Sequence, residues 1–410
     1  MNGLKNYRIP AYLLVIMNVL GFLLLYMANN YQANILYVGA GLLGIFIAVY
    51  SVLVLCRMGD KYMVLIATML ITIGVIMLCR IDIVMGARQI MWVGIGVVVF
   101  FLAYVVFYNI KFWDKLWFLY AAAGLLLFVV TLTVGKEVNG SKNWIDLGPV
   151  SFQPSEIIKI CYIMFLACHY SQSWNKPFLR LSPMLMTGAV TYVYILFLML
   201  QRDWGTILVV FSIFIFMIYV YEPKRWFLFA NVFAALAVAY VGYRYLYHIQ
   251  VRVGVWLNPW QDISGKGYQI SQSLFAIASG GYFGRGLGNG SPQYIPEVHT
   301  DFIFSAICEE MGVFGGAAVI ILFFLLAYRC FKITLQTENS YNKAVGLGLT
   351  LMFALQTFII IGGVIKFIPL TGITVPFVSY GGSSIVVSFA SLGIMQAISA
   401  DEERRGERDE

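Results

Sequence analysis

The sequence predicts an all-α polytopic membrane protein of about twelve transmembrane helices, and three observations carry that reading. Of its 410 residues 60% are hydrophobic and 11% charged, and the mean hydropathy is +0.81. Apolar runs long enough to cross roughly 30 Å of hydrocarbon recur along the whole chain. Lys and Arg gather in alternate short connections, the bias that marks the cytoplasmic side of a membrane.

The runs begin near residues 11, 35, 62, 88, 116, 155, 182, 204, 226, 302, 343 and 376. The first is long, follows only Lys5 and Arg8, and lacks a small-residue cleavage site, so it reads as a retained helix rather than a signal peptide. A cytoplasmic N-terminus places 16 of the 27 basic residues in cytoplasmic segments, among them Arg57, Lys111, Lys176, Arg180 and Arg329. An even helix count returns the C-terminus to the same side, where residues 401–410 read as a charged, solvated tail. The net charge of +7 is therefore a consequence of topology, useful against an anionic inner leaflet, and gives no sign of nucleic-acid binding. Six cysteines in or beside apolar runs, without CxxC spacing, and three histidines indicate neither a disulfide framework nor a zinc site.

Two outward connections are long, about residues 135–154 and 247–300, and long loops are where function concentrates. Within the second, residues 269–279 suit a short interfacial or re-entrant helix. The glycine run 280–290 has two readings: a turn-rich surface loop, or a contact to pyrophosphate or sugar involving Arg285. With no strand before it, and on the outer face where nucleotides are scarce, the run does not read as a Rossmann or kinase loop.

Charges at the rim of apolar runs are the next signal, since each costs on the order of 2.5–3.5 kcal/mol at the membrane centre by insertion scales. Glu156 and Lys159, three apart after Pro154, share a helix face and either lock packing or line a polar cavity. Asp203 reads as a helix cap. Asp301 sits at the lip of the run beginning near 302, with Glu297 and His299 beside it, and is either a rim cap or a functional carboxylate. Glu309, eight residues on, would fall close to the Asp301 face of one helix, where a second acid could hold a metal ion or raise the proton affinity of Asp301.

Six ordered stretches carry a resemblance: GSKNWIDLG at 140–148 followed by QPSE-x-x-K at 153–159, QRDWGT at 201–206, GYQISQS at 267–273, PEVHTDFIF at 296–304 with EEMG at 309–312, and PLTG at 369–372 leading into PFVSYGGSS at 376–384. They resemble the SEDS family of bacterial cell-wall proteins (shape, elongation, division and sporulation), to which RodA and FtsW belong. The resemblance implies a ten-helix core, here residues 111–400 preceded by an N-terminal region 1–110 with two extra helices, and a large extracytoplasmic loop, 247–300, before the tenth helix. It implies a peptidoglycan glycosyltransferase that polymerises lipid II at the outer face of the bacterial plasma membrane, with a class B penicillin-binding protein as cross-linking partner. Asp301 matches the aspartate on which polymerase activity depends, and Trp144, Glu156, Lys159 and Asp203 match further family positions. Arg202 stands where the family usually has proline, and Asn143 where it commonly has arginine.

The chemistry of the site leads the same way. Joining sugars from a polyprenyl-pyrophosphate donor needs a base for the acceptor hydroxyl, for which Asp301 is the candidate, and help for the departing pyrophosphate from Lys159, Arg285 or a divalent cation, Mg²⁺ or Mn²⁺. Trp144 offers a flat face for a sugar or prenyl stem, or else an interfacial belt residue. Twelve helices with buried charges also suit a flippase for lipid-linked precursors, the competing reading.

Overall fold

The computed structural model describes residues 3–29, 31–138, 140–146, 148, 151–171 and 183–409, and the expected cytoplasmic cations Lys176 and Arg180 lie outside them. Fourteen α-helices form among the described residues: α1 Gly3–Ala28, α2 Ala33–Leu55, α3 Lys61–Ile81, α4 Ile83–Asn109, α5 Trp117–Val134, α6 Pro154–Tyr170, α7 Pro183–Gln201, α8 Trp204–Tyr221, α9 Arg225–Tyr245, α10 Tyr247–Leu257, α11 Tyr268–Gly280, α12 Ile303–Gln336, α13 Ser340–Val364 and α14 Gly382–Asp409. Eleven are long and apolar enough to cross a membrane. The helix at the QPSE motif, α6, is 17 residues long and coincides with the remaining expected run.

Local chemistry sets the boundaries. Proline opens α6 at its first turn, where its missing N–H costs no hydrogen bond. Asp60 and Asp82 cap α3 and α4 by accepting from the N–H groups of Tyr62 and Val84. The last apolar run begins later than expected: residues 376–378 form a turn, and α14 starts at Gly382. The charged segment expected as a solvated tail continues α14 to Asp409, with Asp401 and Arg405 paired across one turn at 3.4 Å.

The two long connections are structured. Residues 136–152 hold a small antiparallel sheet, β1 Lys136–Val138, β2 Ser141–Asp146 and β3 Ser151–Phe152, in the order β1-β2-β3. It is the one departure from an all-helical chain among the described residues. The short helix expected at 269–279 is α11, whereas α10 was not anticipated.

The helices gather into two compact units that do not follow sequence order. One comprises residues 1–110, 272–337 and 374–410, and the other residues 111–271 and 338–373. Residues 1–110 thus share a unit with later segments of the chain rather than standing by themselves.

In the first unit, α3 is buried almost throughout, and it runs antiparallel to α12 with an ion pair at each end. Arg329 of α12 meets Asp60 at the start of α3, and Arg80 at the end of α3 meets Glu310 of α12 at 3.0 Å. Gln396 and Ser399 of α14 satisfy the backbone around Asp60. Charges in an apolar interior are tolerated only when paired in this way.

The second unit is built on α6, which packs on α5 and α13. Two buried tyrosine hydroxyls there find partners: Tyr162 and Thr191 meet at 2.8 Å, and Tyr194 donates to the carbonyl of Ala121 at 3.1 Å. By contrast α9 presents Trp226, Phe229, Phe233 and Leu236 outward, the mark of a helix whose solvent is not water.

Candidate active site

The residues singled out by the sequence fall into two constellations, one in each compact unit. Asp301, Glu297, His299, Arg285 and Glu309 belong to the first, and Trp144, Glu156, Lys159 and Asp203 to the second.

Asp301 lies half-buried in a turn immediately before α12. The N-cap position of that helix is the next residue, Phe302. The turn is built on Glu297, whose φ of 52° is in the left-handed region, so that its carbonyl accepts the N–H groups of Thr300 and Asp301 at 3.2 Å and of Phe302 at 3.3 Å. His299 Nε2 is 3.9 Å from Glu297 Oε2. Because α12 begins only at Ile303, the helical spacing expected between Asp301 and Glu309 does not apply.

A second segment braces this turn. Ser379 donates its hydroxyl to Thr300 O at 2.5 Å and accepts from Val375 N at 2.9 Å, and Tyr380 N donates to His299 O at 2.8 Å. Buried Gln89 of α4 donates to Ser379 O at 3.1 Å. Ser379 stands inside the PFVSYGGSS stretch but was not singled out, and nothing in the local sequence pointed to Gln89.

The glycine run is a backbone dock. At Gly312, with φ 70° and ψ −174°, α12 breaks. In a continuous helix Val313 and Phe314 would donate to the carbonyls of Glu309 and Glu310. Instead they donate to Gly281 O and Tyr282 O, at 2.9 and 3.3 Å, while Arg285 N and Gly286 N take the freed carbonyls of Glu309 and Glu310, both at 3.0 Å. Such closeness requires glycine: a Cβ at Gly284 would lie 2.1 Å from Glu310 O. The two acids reinforce the dock. Glu309 Oε1 accepts from Ser291 N at 2.9 Å and lies 3.5 Å from Arg285 Nη1, and Glu310 Oε2 accepts from Gly288 N at 3.0 Å.

Three of the four oxygens of this acidic pair are thus committed, and Glu309 Oε2 is the one buried without a hydrogen-bond partner. Among the described residues no three His, Cys, Asp or Glu side chains converge as a metal cage.

In the second unit the QPSE and QRDWGT stretches meet at Asp203. Its Oδ1 caps α8 through Thr206 N at 3.1 Å, and its Oδ2 accepts from Ser155 Oγ at 3.1 Å and Gln153 Nε2 at 3.4 Å. Lys159 is 2% exposed and donates to Glu156 Oε1 and Gln356 Oε1, each at 2.9 Å. Trp144 lies half-buried on β2, opposite Lys136. Arg202 has φ 58°, which proline cannot adopt, so its replacement of the usual proline goes with a left-handed turn. It donates to Gly140 O at 3.3 Å, and Ser141 Oγ donates to Arg202 O at 3.1 Å, joining the tryptophan and aspartate loops.

Residues 60–404 match the FtsW/RodA/SpoVE family, described as "Cell cycle protein". Stage V sporulation protein E of Bacillus subtilis (strain 168) is 35% identical over 355 residues, covering 83% of this chain and 96% of its own. Peptidoglycan glycosyltransferase RodA of Mycobacterium tuberculosis (strain ATCC 25618 / H37Rv) is 31% identical over 367 residues, covering 83% of this chain and 78% of its own. Among solved structures, a chain of one described as "Structural coordination of polymerization and crosslinking by a peptidoglycan synthase complex" has a TM-score of 0.72 at 29% identity, covering 84% of this chain and 98% of that one. RodA of Thermus thermophilus has a TM-score of 0.62 at 26% identity, covering 84% of this chain and 97% of its own. Helices α1 and α2 precede the matched region. From α3 onward, this multi-pass membrane chain belongs to the FtsW/RodA/SpoVE family, the SEDS family that its motifs resemble.

Proposed function

We propose that this chain is a peptidoglycan glycosyltransferase that polymerises lipid II at the outer face of the bacterial plasma membrane, with Asp301 as general base. The observation that carries the assignment is the turn at 297–302. A strained Glu297 and two braces from residues 379 and 380 fix the backbone on which Asp301 stands. Strain held in place by its surroundings is characteristic of sites where geometry matters.

In the proposed step the Asp301 carboxylate takes the proton of an acceptor sugar hydroxyl as that oxygen forms a bond to the anomeric carbon of the donor. The bond from the anomeric carbon to the phosphate oxygen breaks with inversion, and polyprenyl pyrophosphate departs with the electron pair. Arg285 is 45% exposed, so its guanidinium can meet an anion while it faces Glu309 at 3.5 Å, whereas Lys159 is buried between Glu156 and Gln356 and serves to hold its helices. A divalent cation enters this reading only as a companion of the pyrophosphate, whose oxygens would supply ligands to it. Trp144 provides a flat apolar face for a sugar or prenyl stem. The cytoplasmic placement of both termini follows from the distribution of Lys and Arg. A class B penicillin-binding protein is the proposed partner, supported by the peptidoglycan synthase complex that contains a similar chain.

The test is polymerisation of lipid II by the purified full chain in liposomes, with and without chelator. Folded Asp301→Ala protein should form no glycan strands, and polymerisation by that variant refutes the assignment. A parallel flipping assay distinguishes the transporter reading, which requires translocation to survive in the same variant.

A further inference from the structure

We infer that Arg80 is a positioning residue for Asp301, acting through Glu310 and the glycine loop, an inference that rests on Asp301 being the base. The break at Gly312 isolates a short half-helix, residues 303–311, with Asp301 just before its first turn and Glu310 near its far end. A half-helix cut from the rest of α12 needs anchoring from elsewhere. At the Asp301 end Ser379 and Tyr380 supply it.

At the other end the anchor is Arg80, the penultimate residue of α3. Its Nε donates to Glu310 Oε1 at 3.0 Å, and its Nη2 donates to Gly288 O at 2.9 Å and Gly290 O at 3.1 Å. Glu310 closes the ring by accepting from Gly288 N at 3.0 Å. Gly288 is therefore held by both its N–H and its carbonyl, one by the acid and one by the base. The Glu310 side chain is fully buried, so its charge depends on this partner. A planar guanidinium can serve three acceptors in fixed directions at once, which a lysine ammonium on a flexible stem does not reproduce. Arg80 thus ties a buried membrane helix, the glycine loop and the half-helix carrying Asp301 to one point. In sequence it stands in the N-terminal region, outside every stretch that carries the family resemblance, yet it bonds directly to Glu310 of the EEMG stretch.

The experiment compares the full-length wild type with Arg80→Ala, Arg80→Lys and Asp301→Ala in liposomes, reading kcat and KM for lipid II together with amide exchange along the chain. Misplacing a catalytic group by about 1 Å costs up to about a hundredfold in rate. Arg80→Ala is expected to lower kcat by about tenfold to a hundredfold with little change in KM, and to raise exchange at 286–291 and 301–305 alone. Arg80→Lys, restoring the charge without the fork, should recover part of the rate. Unchanged kcat in Arg80→Ala overturns the inference and leaves the base assignment standing, and so does loss of protection throughout the chain, which marks a general structural role. Polymerisation by Asp301→Ala overturns the base assignment whatever Arg80 does.

Discussion

Replacing Gly312 by alanine tests the reading of the broken helix directly. The backbone at φ 70°, ψ −174° is essentially reserved for glycine, and a Cβ there would lie 2.3 Å from Tyr282 O and 2.4 Å from Gly284 N. Both are main-chain atoms, so no rotamer relieves the clash. Remaining in place costs about 1–3 kcal/mol of backbone strain before the clash is counted. The alternative is for α12 to straighten. Val313 and Phe314 then recover the carbonyls of Glu309 and Glu310, while all four backbone hydrogen bonds between the break and the loop at 281–286 are lost. The net loss of two hydrogen bonds is worth about 1–3 kcal/mol, and alanine returns about 1 kcal/mol of helix propensity. Straightening is therefore the easier route, and stability should stay within about 2 kcal/mol of wild type. The signal lies elsewhere: the amides of Arg285 and Gly286 should lose exchange protection, and lipid II polymerisation should fall at least about tenfold as the half-helix before the break swings. Wild-type polymerisation with both amides still protected would refute the argument.

Three further outcomes follow from other parts of the structure. Lys159→Met should destabilise the detergent-solubilised chain by about 3–5 kcal/mol by leaving Glu156 unpaired in an apolar interior, and the double variant Glu156→Gln/Lys159→Met should recover most of it. Equal melting temperatures for the single and double variants would show that the pair is not the source. At residue 202, Arg202→Gly should stabilise by about 1 kcal/mol by relieving the left-handed backbone, whereas Arg202→Pro, despite restoring the family's usual residue, should destabilise, a reversal readable by thermal melting. His248, beside the Trp204 ring, has its pKa held below the ordinary 6.5 by burial first and then by the Arg202 and Arg252 cations. Its folded value is the depressed one, so its contribution is fully present above about pH 6.5 and is lost as the pH falls below it. Exchange protection of α10 should decline over that window in the wild type and not in His248→Phe.

What the sequence made legible are features whose cause is local. Apolar runs announce helices because a membrane span must close its own hydrogen bonds, and Pro154 and Asp203 mark helix starts because first-turn geometry selects them. The break at Gly312 left no comparable mark, since a glycine in an apolar run reads as an ordinary helical residue. Its cause lies in a loop some thirty residues earlier, whose glycines had suggested an anion cradle. The Arg80–Glu310 pair spans 230 positions and Gln89–Ser379 spans 290, and no spacing rule links such residues. Strands of three, six and two residues are too short for an alternating pattern to show. The Asp301–Glu309 relation failed for a related reason: the run of apolar residues began at the right place, but the turn of Glu297 delayed the helix past the aspartate.

Backbone strain ties these failures to function. Among the described residues six other than glycine have positive φ: Tyr31, Arg57, Arg202, Glu297, Lys366 and Phe377. Three of them fall inside the QRDWGT, PEVHTDFIF and PFVSYGGSS stretches. Each left-handed residue costs about 1–2 kcal/mol; Arg57 and Lys366 follow the ends of α2 and α13, where such a residue is a common helix stop, whereas the three motif positions lie in loops around the candidate residues. Glu297 and Phe377 flank the contact between the Asp301 turn and Ser379, so strain on both sides is balanced by the hydrogen bonds between them. Arg202 orients the loop that Ser141 and Gly140 join. The motif positions in this chain are therefore where helix geometry is set aside to fix a loop. That is also why the carboxylate before α12, not one within it, is the residue on which the proposed chemistry rests.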